Sequence, residues 1–218
     1  TRLYVGISTT SFVIINTSTF ARTEVITGLK MYFPVFNASG SRLYAVNGDT
    51  GSVIVFDTAT NRVIQQISIQ SANNITFNPR NNRLYVFRAN TNDIVIIDAN
   101  TNQVITSVPI QAFHSAYSPY TPRIYGSGWQ VLYILNTDTN TLVKMINIDR
   151  PSVAFGTTTE HAYVTSRNAN SLSVMNIRTE TITSTITGFH DPIAITTLPG
   201  KPIAYVANFG GSVSVVQL

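Results

Sequence analysis

Residues 74–108 hold four short apolar segments in succession: Asn74-Ile-Thr-Phe-Asn78, Leu84-Tyr-Val-Phe87, Ile94-Val-Ile-Ile-Asp98 and Val104-Ile-Thr-Ser-Val108. Each is rich in Val, Ile, Thr, Tyr and Phe and is bounded by Asn, Asp, Ser or Pro, which is the signature of a strand between turns. No stretch of the chain carries an apolar stripe at helical spacing. The chain reads as all-β.

The unit repeats. Arg83-Leu-Tyr-Val at the second segment has counterparts in Arg2-Leu-Tyr-Val, Arg42-Leu-Tyr-Ala-Val, Arg123-Ile-Tyr, His161-Ala-Tyr-Val and Ile203-Ala-Tyr-Val. The tyrosines fall at Tyr4, Tyr44, Tyr85, Tyr125, Tyr163 and Tyr205, a period of about 41 residues, in the range of propellers and solenoids. The third segments, such as Val53-Ile-Val-Phe and Ile94-Val-Ile-Ile, are continuous apolar runs, so both faces of those strands should be covered. Propeller blades, each sandwiched between two neighbours, meet that condition. The fourth segments are more polar, as outer edge strands should be.

The turn from third to fourth segment reads Asp57-Thr-Ala-Thr-Asn61, Asp98-Ala-Asn-Thr-Asn102 and Asn136-Thr-Asp-Thr-Asn140. The leading Asp or Asn can accept bonds from amides two residues on, and the closing Asn tolerates a left-handed backbone. Phe20 and Glu180 occupy the closing position in two other copies, where a different turn is expected.

With Asn47, Val206-Ala-Asn208 and the Asp-Thr-Ala-Thr-Asn turn in view, the chain resembles the YVTN-repeat β-propeller family, which includes repeats of archaeal and bacterial surface-layer proteins. The resemblance covers essentially the whole chain and implies four-stranded antiparallel blades around a central channel. It carries over no functional residue. Departures lie at Gly126-Ser-Gly-Trp129 and Thr165-Ser-Arg-Asn168, where the strand-ending Asn is lost. Strand counting gives four complete blades, about 31–70, 71–110, 111–149 and 150–188, flanked by two partial ones. Residues 1–218 are expected to form a single propeller of six blades with trimmed terminal blades, five blades being the alternative. Edges of trimmed blades invite self-association.

Only 11% of the 218 residues are charged, against a typical quarter, and Thr and Asn fill the expected solvent faces. That composition suits an exported, extracellular or cell-surface protein, and the absence of an initiator Met is read as the mark of a removed leader or flanking region. The sequons at Asn16, Asn37 and Asn74 are candidate N-glycosylation sites. With no cysteine, disulfides and thiolate metal sites are excluded. No apolar run approaches the roughly 18 residues of a membrane span. The net charge of +4 is a mild bias toward anionic surfaces, without the clustered stripe of a nucleic-acid binder.

Two sets of candidate site residues follow from the repeat. Arg2, Arg42, Arg83, Arg123 and Lys201 precede second strands and would form a rim, either attracting anionic partners or simply solubilising hairpins. The opposite loop face is more varied, and its candidates are Arg88, His114, Trp129, Arg167, His190, Asp191 and Phe209. The sole tryptophan, Trp129, is expected beside Arg88 and Arg167, where it could stack on a sugar or anchor a partner. His114 and His190 could approach each other, but two imidazoles fall short of a metal site. No metal or other cofactor is expected. There is no catalytic elbow, phosphate loop or evident carboxylate pair. The expected function is a non-catalytic structural or adhesive binding module of a cell envelope, surface layer or filament, with a protein, cell-wall polymer or glycan as partner. A lectin-like propeller and a lactonase-like hydrolase are the alternatives.

Overall fold

The computed structural model of the chain describes residues 2–8, 11–28, 30–88, 90–156 and 160–218. Strands, and no helix, make up its regular structure among the described residues. By its internal contacts the chain divides into two compact units, Thr1–Pro109 and Ile110–Leu218.

The first unit holds three antiparallel sheets, each a simple meander. One has three strands: β1 (Arg2–Ser8), β2 (Ser11–Asn16) and β3 (Arg22–Thr27). The next has four: β4 (Met31–Phe36), β5 (Arg42–Asn47), β6 (Val53–Asp57) and β7 (Arg62–Ile67). The third comprises β8 (Ala72–Asn78), β9 (Arg83–Arg88), β10 (Asp93–Asp98) and β11 (Gln103–Val108). The second unit repeats the pattern. It contains β12 (His114–Tyr117), β13 (Arg123–Ser127), β14 (Val131–Asn136) and β15 (Thr141–Asn147), then β16 (Val153–Phe155), β17 (His161–Ser166), β18 (Ser171–Asn176) and β19 (Thr181–Thr187). It closes on a three-stranded sheet, β20 (Pro192–Thr197), β21 (Ile203–Asn208) and β22 (Val213–Gln217). The four complete sheets coincide with the four complete repeats of the sequence.

In the four-stranded sheets burial follows the expected order, and in the last, three-stranded sheet it does not: its third strand β22 is mostly exposed. Ile94, Val95, Ile96 and Ile97 of β10 are buried, as are Val53–Phe56 of β6, whereas every residue of β19 is exposed. The cores lie between sheets rather than within them. One joins Tyr44, Val53 and Val55 to Ile75, Leu84 and Ile97; another joins Tyr125 and Ile134 to Ala162, Val164 and Met175. Strands such as β6 and β10 are thus sealed on both faces, which is why their sequences do not alternate.

The expectation that the Phe20 and Glu180 turns would differ is corrected. Phe20 (φ 57°) and Glu180 (φ 54°) adopt the same left-handed backbone as Asn61 (56°), Asn102 (58°) and Asn140 (56°). In every copy the strand-end side chain accepts two backbone N–H bonds: Asn16 from Ser18 and Thr19, and Asn176 from Arg178 and Thr179, as Asp57 does from Ala59 and Thr60. A register shift follows each of these turns. The leading cap and the bulge therefore dictate the turn, and the closing residue accepts the conformation at a cost of about 1–2 kcal/mol when it is not Asn or Gly.

Candidate functional site

Loops joining first to second strands lie with the turns joining third to fourth strands. Thr58 N donates to Ser41 O at 3.1 Å, Ala99 N to Asn82 O at 3.0 Å, and Thr137 N to Pro122 O at 3.0 Å. On this side the residue before the second strand reaches the following sheet. Arg2 Nη1 donates to Thr58 O at 2.7 Å, Arg42 Nη1 to Ala99 O at 3.1 Å, and Arg123 Nε to Glu180 Oε1 at 2.7 Å. Tyr44 adds its hydroxyl to the same Ala99 carbonyl at 3.0 Å. The guanidinium groups of Arg2, Arg42 and Arg123 thus clamp neighbouring sheets together. Arg83 holds the equivalent half-buried place at the start of β9, and Lys201 lies exposed before β21.

The sequons fare unevenly. Asn74 is 7% exposed within β8, so it is corrected as a glycosylation site: an attached glycan could not be housed there. Asn16 holds its turn through Oδ1, and Asn37 bonds Ser41 Oγ and the Arg42 amide.

On the opposite loop face the second unit builds a cleft of about 590 Å³. Its floor is formed where first strands meet: Ser115 and Ala116 of β12, Val153 of β16, and Ile193 and Ala194 of β20. Its rim carries Phe113, His114, Trp129, Arg150 and Arg167. Backbone bonds lock the loops that hold them. Arg150 N donates to Trp129 O at 2.7 Å, Arg167 N to Asp149 O at 3.0 Å, and Phe209 N to Asp191 O at 2.9 Å.

Trp129 is 56% exposed. Phe113 meets it edge-on, with ring centroids 5.3 Å apart, and the Arg150 guanidinium lies over the indole at 4.9 Å. Space requires glycine just before it: a Cβ on Gly128 would stand 2.9 Å from Val131 Cγ1 and 3.0 Å from both Gln111 O and Tyr133 Cε2. The cation over the Trp129 ring is Arg150, and Arg167 lines the same cleft, as expected. Arg88 belongs to the first unit and is paired with Asp93 through Nε (2.8 Å) and Nη2 (2.5 Å). Arg167 lies over the Phe209 ring at 4.9 Å and grips Asp191 in a two-pronged pair, Nη2 to Oδ2 at 2.8 Å. That hydrogen-bonded pairing raises the Arg167 pKa and lowers that of the Asp191 carboxyl.

A second recess of about 280 Å³ adjoins through shared residues, lined by Arg150, Arg167, Asn168, Asn170 and Asp191. His114 lines the cleft, and desolvation there lowers its pKa; His190 does not line it, and its amide is held by Asn208 Oδ1 at 3.3 Å. Asn208, 5% exposed, also donates to Ser212 and Ser214 hydroxyls, so the strand-ending Asn of this copy organises two loops.

Arg150, absent from the sequence candidates, is the residue that sequence reasoning missed. A signal was present: Asp149-Arg150-Pro151 and His190-Asp191-Pro192 place Arg150 and Asp191 at equivalent positions before proline. Both have positive φ, 40° and 54°. Asp accepts that conformation far more readily than Arg, and a residue before proline ordinarily prefers an extended one. A non-glycine residue held there is the kind of local strain that accumulates at binding sites.

Fold and site together define a repeat protein of antiparallel sheets with a polar, aromatic-rimmed cleft on one loop face. The comparisons agree on the fold. A chain of the mitotic checkpoint complex is similar over 100% of this chain and 71% of its own, with a TM-score of 0.85 at 14% identity. A chain of hydrazine synthase from Kuenenia stuttgartiensis is similar over 95% of this chain and 89% of its own, with a TM-score of 0.60 at 12% identity. At such identities the likeness shows a propeller-like repeat fold and nothing of activity. No family model matches the sequence, and no curated protein does.

Proposed function

We propose that the chain is a non-catalytic binding module of an exported propeller, of the YVTN-repeat kind found in surface layers and cell envelopes, and that it holds a protein or wall-polymer partner in the cleft beside Trp129. The observation that carries this reading is the exposed indole, gripped by Phe113 and Arg150 at the rim of a cleft of about 590 Å³. Ligand sites commonly occupy about 300–1,000 Å³ and combine apolar walls with a few fixed polar groups. A structural neighbour that works within a protein complex favours the same reading.

Six blades fit this reading better than five, since six separate sheets are formed among the described residues. The low charge and the Thr- and Asn-rich surface support export.

The test is sedimentation of the purified chain with isolated envelopes of its native host, beside Trp129→Ala. Retention of the wild type with at least tenfold weaker retention of Trp129→Ala is expected. Equal retention of both, or of neither, would remove the cleft as the binding site.

A further inference from the structure

We infer that the ligand of this cleft is a neutral oligosaccharide, its sugar ring stacked at Trp129 and its hydroxyls bound by Asp191, Arg167 and Asn168; this rests on the reading of that loop face as the binding face. The argument is one of matched chemistry. The smaller recess brings together two guanidinium groups, one carboxylate and two carboxamides, from Arg150, Arg167, Asp191, Asn168 and Asn170. Donors and acceptors are therefore both plentiful. A phosphate or carboxylate ligand needs donors alone and an excess of positive charge. Here Arg167 is already neutralised by Asp191, and Asp149 lies close enough to act on Arg167 as well. A sugar hydroxyl both donates and accepts, and a vicinal diol can span the two oxygens of a carboxylate or two guanidinium nitrogens.

The geometry allows it. The pair uses Nε and Nη2 of Arg167 and leaves Nη1, while the Asp191 side chain is 40% exposed and keeps lone pairs for a second donor. The backbone of Asp191 is fixed by Asn170 Oδ1 at 2.7 Å, so the carboxylate is held in place before any ligand arrives. Arg150 lines both recesses and covers one face of the indole, so the sugar takes the part of the ring that stays open, Trp129 being 56% exposed. The C–H face of a pyranose suits such an aromatic wall.

Because Trp129 is the sole tryptophan, its emission reports this site alone. The experiment titrates the purified chain with chitohexaose, cellohexaose and mannohexaose, with hexagalacturonate as the acidic comparator. At least one neutral sugar is expected to shift the emission saturably, with hexagalacturonate at least tenfold weaker. Asp191→Asn and Asn168→Ala, each checked for wild-type melting, are expected to weaken that binding at least tenfold and threefold respectively. Tighter binding of hexagalacturonate overturns the inference, as does a response indifferent to both substitutions. If no neutral sugar perturbs Trp129 while envelope binding still depends on it, the binding-module reading survives and a protein partner replaces the glycan. If envelope binding is also indifferent to Trp129, both fall.

Discussion

Arg123 Nε donates to Glu180 Oε1 at 2.7 Å, so the start of β13 is tied to the turn after β18, 57 residues later. Both side chains are largely enclosed, 20% and 11% exposed. Arg2 makes the equivalent reach to Thr58 O and more weakly to Asn61 Oδ1 at 3.4 Å, and Asn61 sits where Glu180 does. The closing residue of the turn is thus the acceptor that a neighbouring arginine can use. Removing Arg123 strands an enclosed carboxylate, so Arg123→Ala should cost about 2 kcal/mol. Glu180→Asn should cost under about 1 kcal/mol, because Asn suits the left-handed backbone and can still accept from Arg123. Urea unfolding of the two single variants and the double variant measures this; equal costs would refute the clamp.

Acid should loosen the first unit through Asp93. The bonds from Arg88, its bidentate partner, hold the Asp93 carboxyl below its ordinary value of 3.8. A carboxyl whose folded value is depressed contributes stability that is present above the unfolded value and lost as pH falls through the folded one. Asp57 acts in the same direction, its carboxylate bonded to the amide and hydroxyl of Thr60. Urea midpoints are therefore expected to decline in two steps, a shallow one as pH falls below about 6.5, where desolvation disfavours a charged His114 in the folded chain, and a steeper one below about 4 from the carboxylates. Asp93→Asn should start lower at pH 7 and decline less. A parallel decline in the variant would dissociate Asp93 from the acid response.

The repeat made the fold legible because each strand reports its own burial. Ile94–Ile97 reads as sealed on both faces and is; the polar fourth strands read as edges and are exposed. The interlocking of sheets was harder to see, since the basic residues before second strands look like surface charge until their acceptors are known. The acceptors lie at a nearly constant offset, 56 residues from Arg2 and 57 from both Arg42 and Arg123. That regularity was in the sequence. The site was less legible. Trp129 stood out as a lone aromatic in a shortened loop, but no spacing rule places Arg150 over its ring, because that contact joins loops of two different sheets.

Gly128→Ala tests how tightly the shortened loop is built. The added Cβ would press on the Gln111 carbonyl at 3.0 Å, which is backbone and cannot swing away, and on Val131 and Tyr133. Overpacking of this kind costs about 1–3 kcal/mol. The loop must shift, and Trp129 with it. A lowered urea midpoint and a red-shifted emission maximum are expected together. An unchanged emission maximum would mean that the indole is not positioned by this loop.

Arg150→Gly separates stability from binding. Arg150 holds φ at 40°, a conformation that costs an ordinary residue about 1–2 kcal/mol and costs glycine little. Against that relief stand the greater freedom of glycine in the unfolded chain, about 0.5–1 kcal/mol, and the lost contact with the indole, about 0.5–1 kcal/mol at an exposed site. The contributions nearly cancel, so the urea midpoint should move by less than the equivalent of about 0.5 kcal/mol. The ligand, however, loses a fixed aromatic wall and a donor. Its affinity should fall by roughly three- to tenfold, which is what about 0.7–1.4 kcal/mol of lost preorganisation would produce. Titration followed by Trp129 emission, run beside the unfolding curves, reads both quantities on one sample. A variant that binds as tightly as the wild type would show that Arg150 occupies its strained conformation for the sake of the turn and not of the cleft.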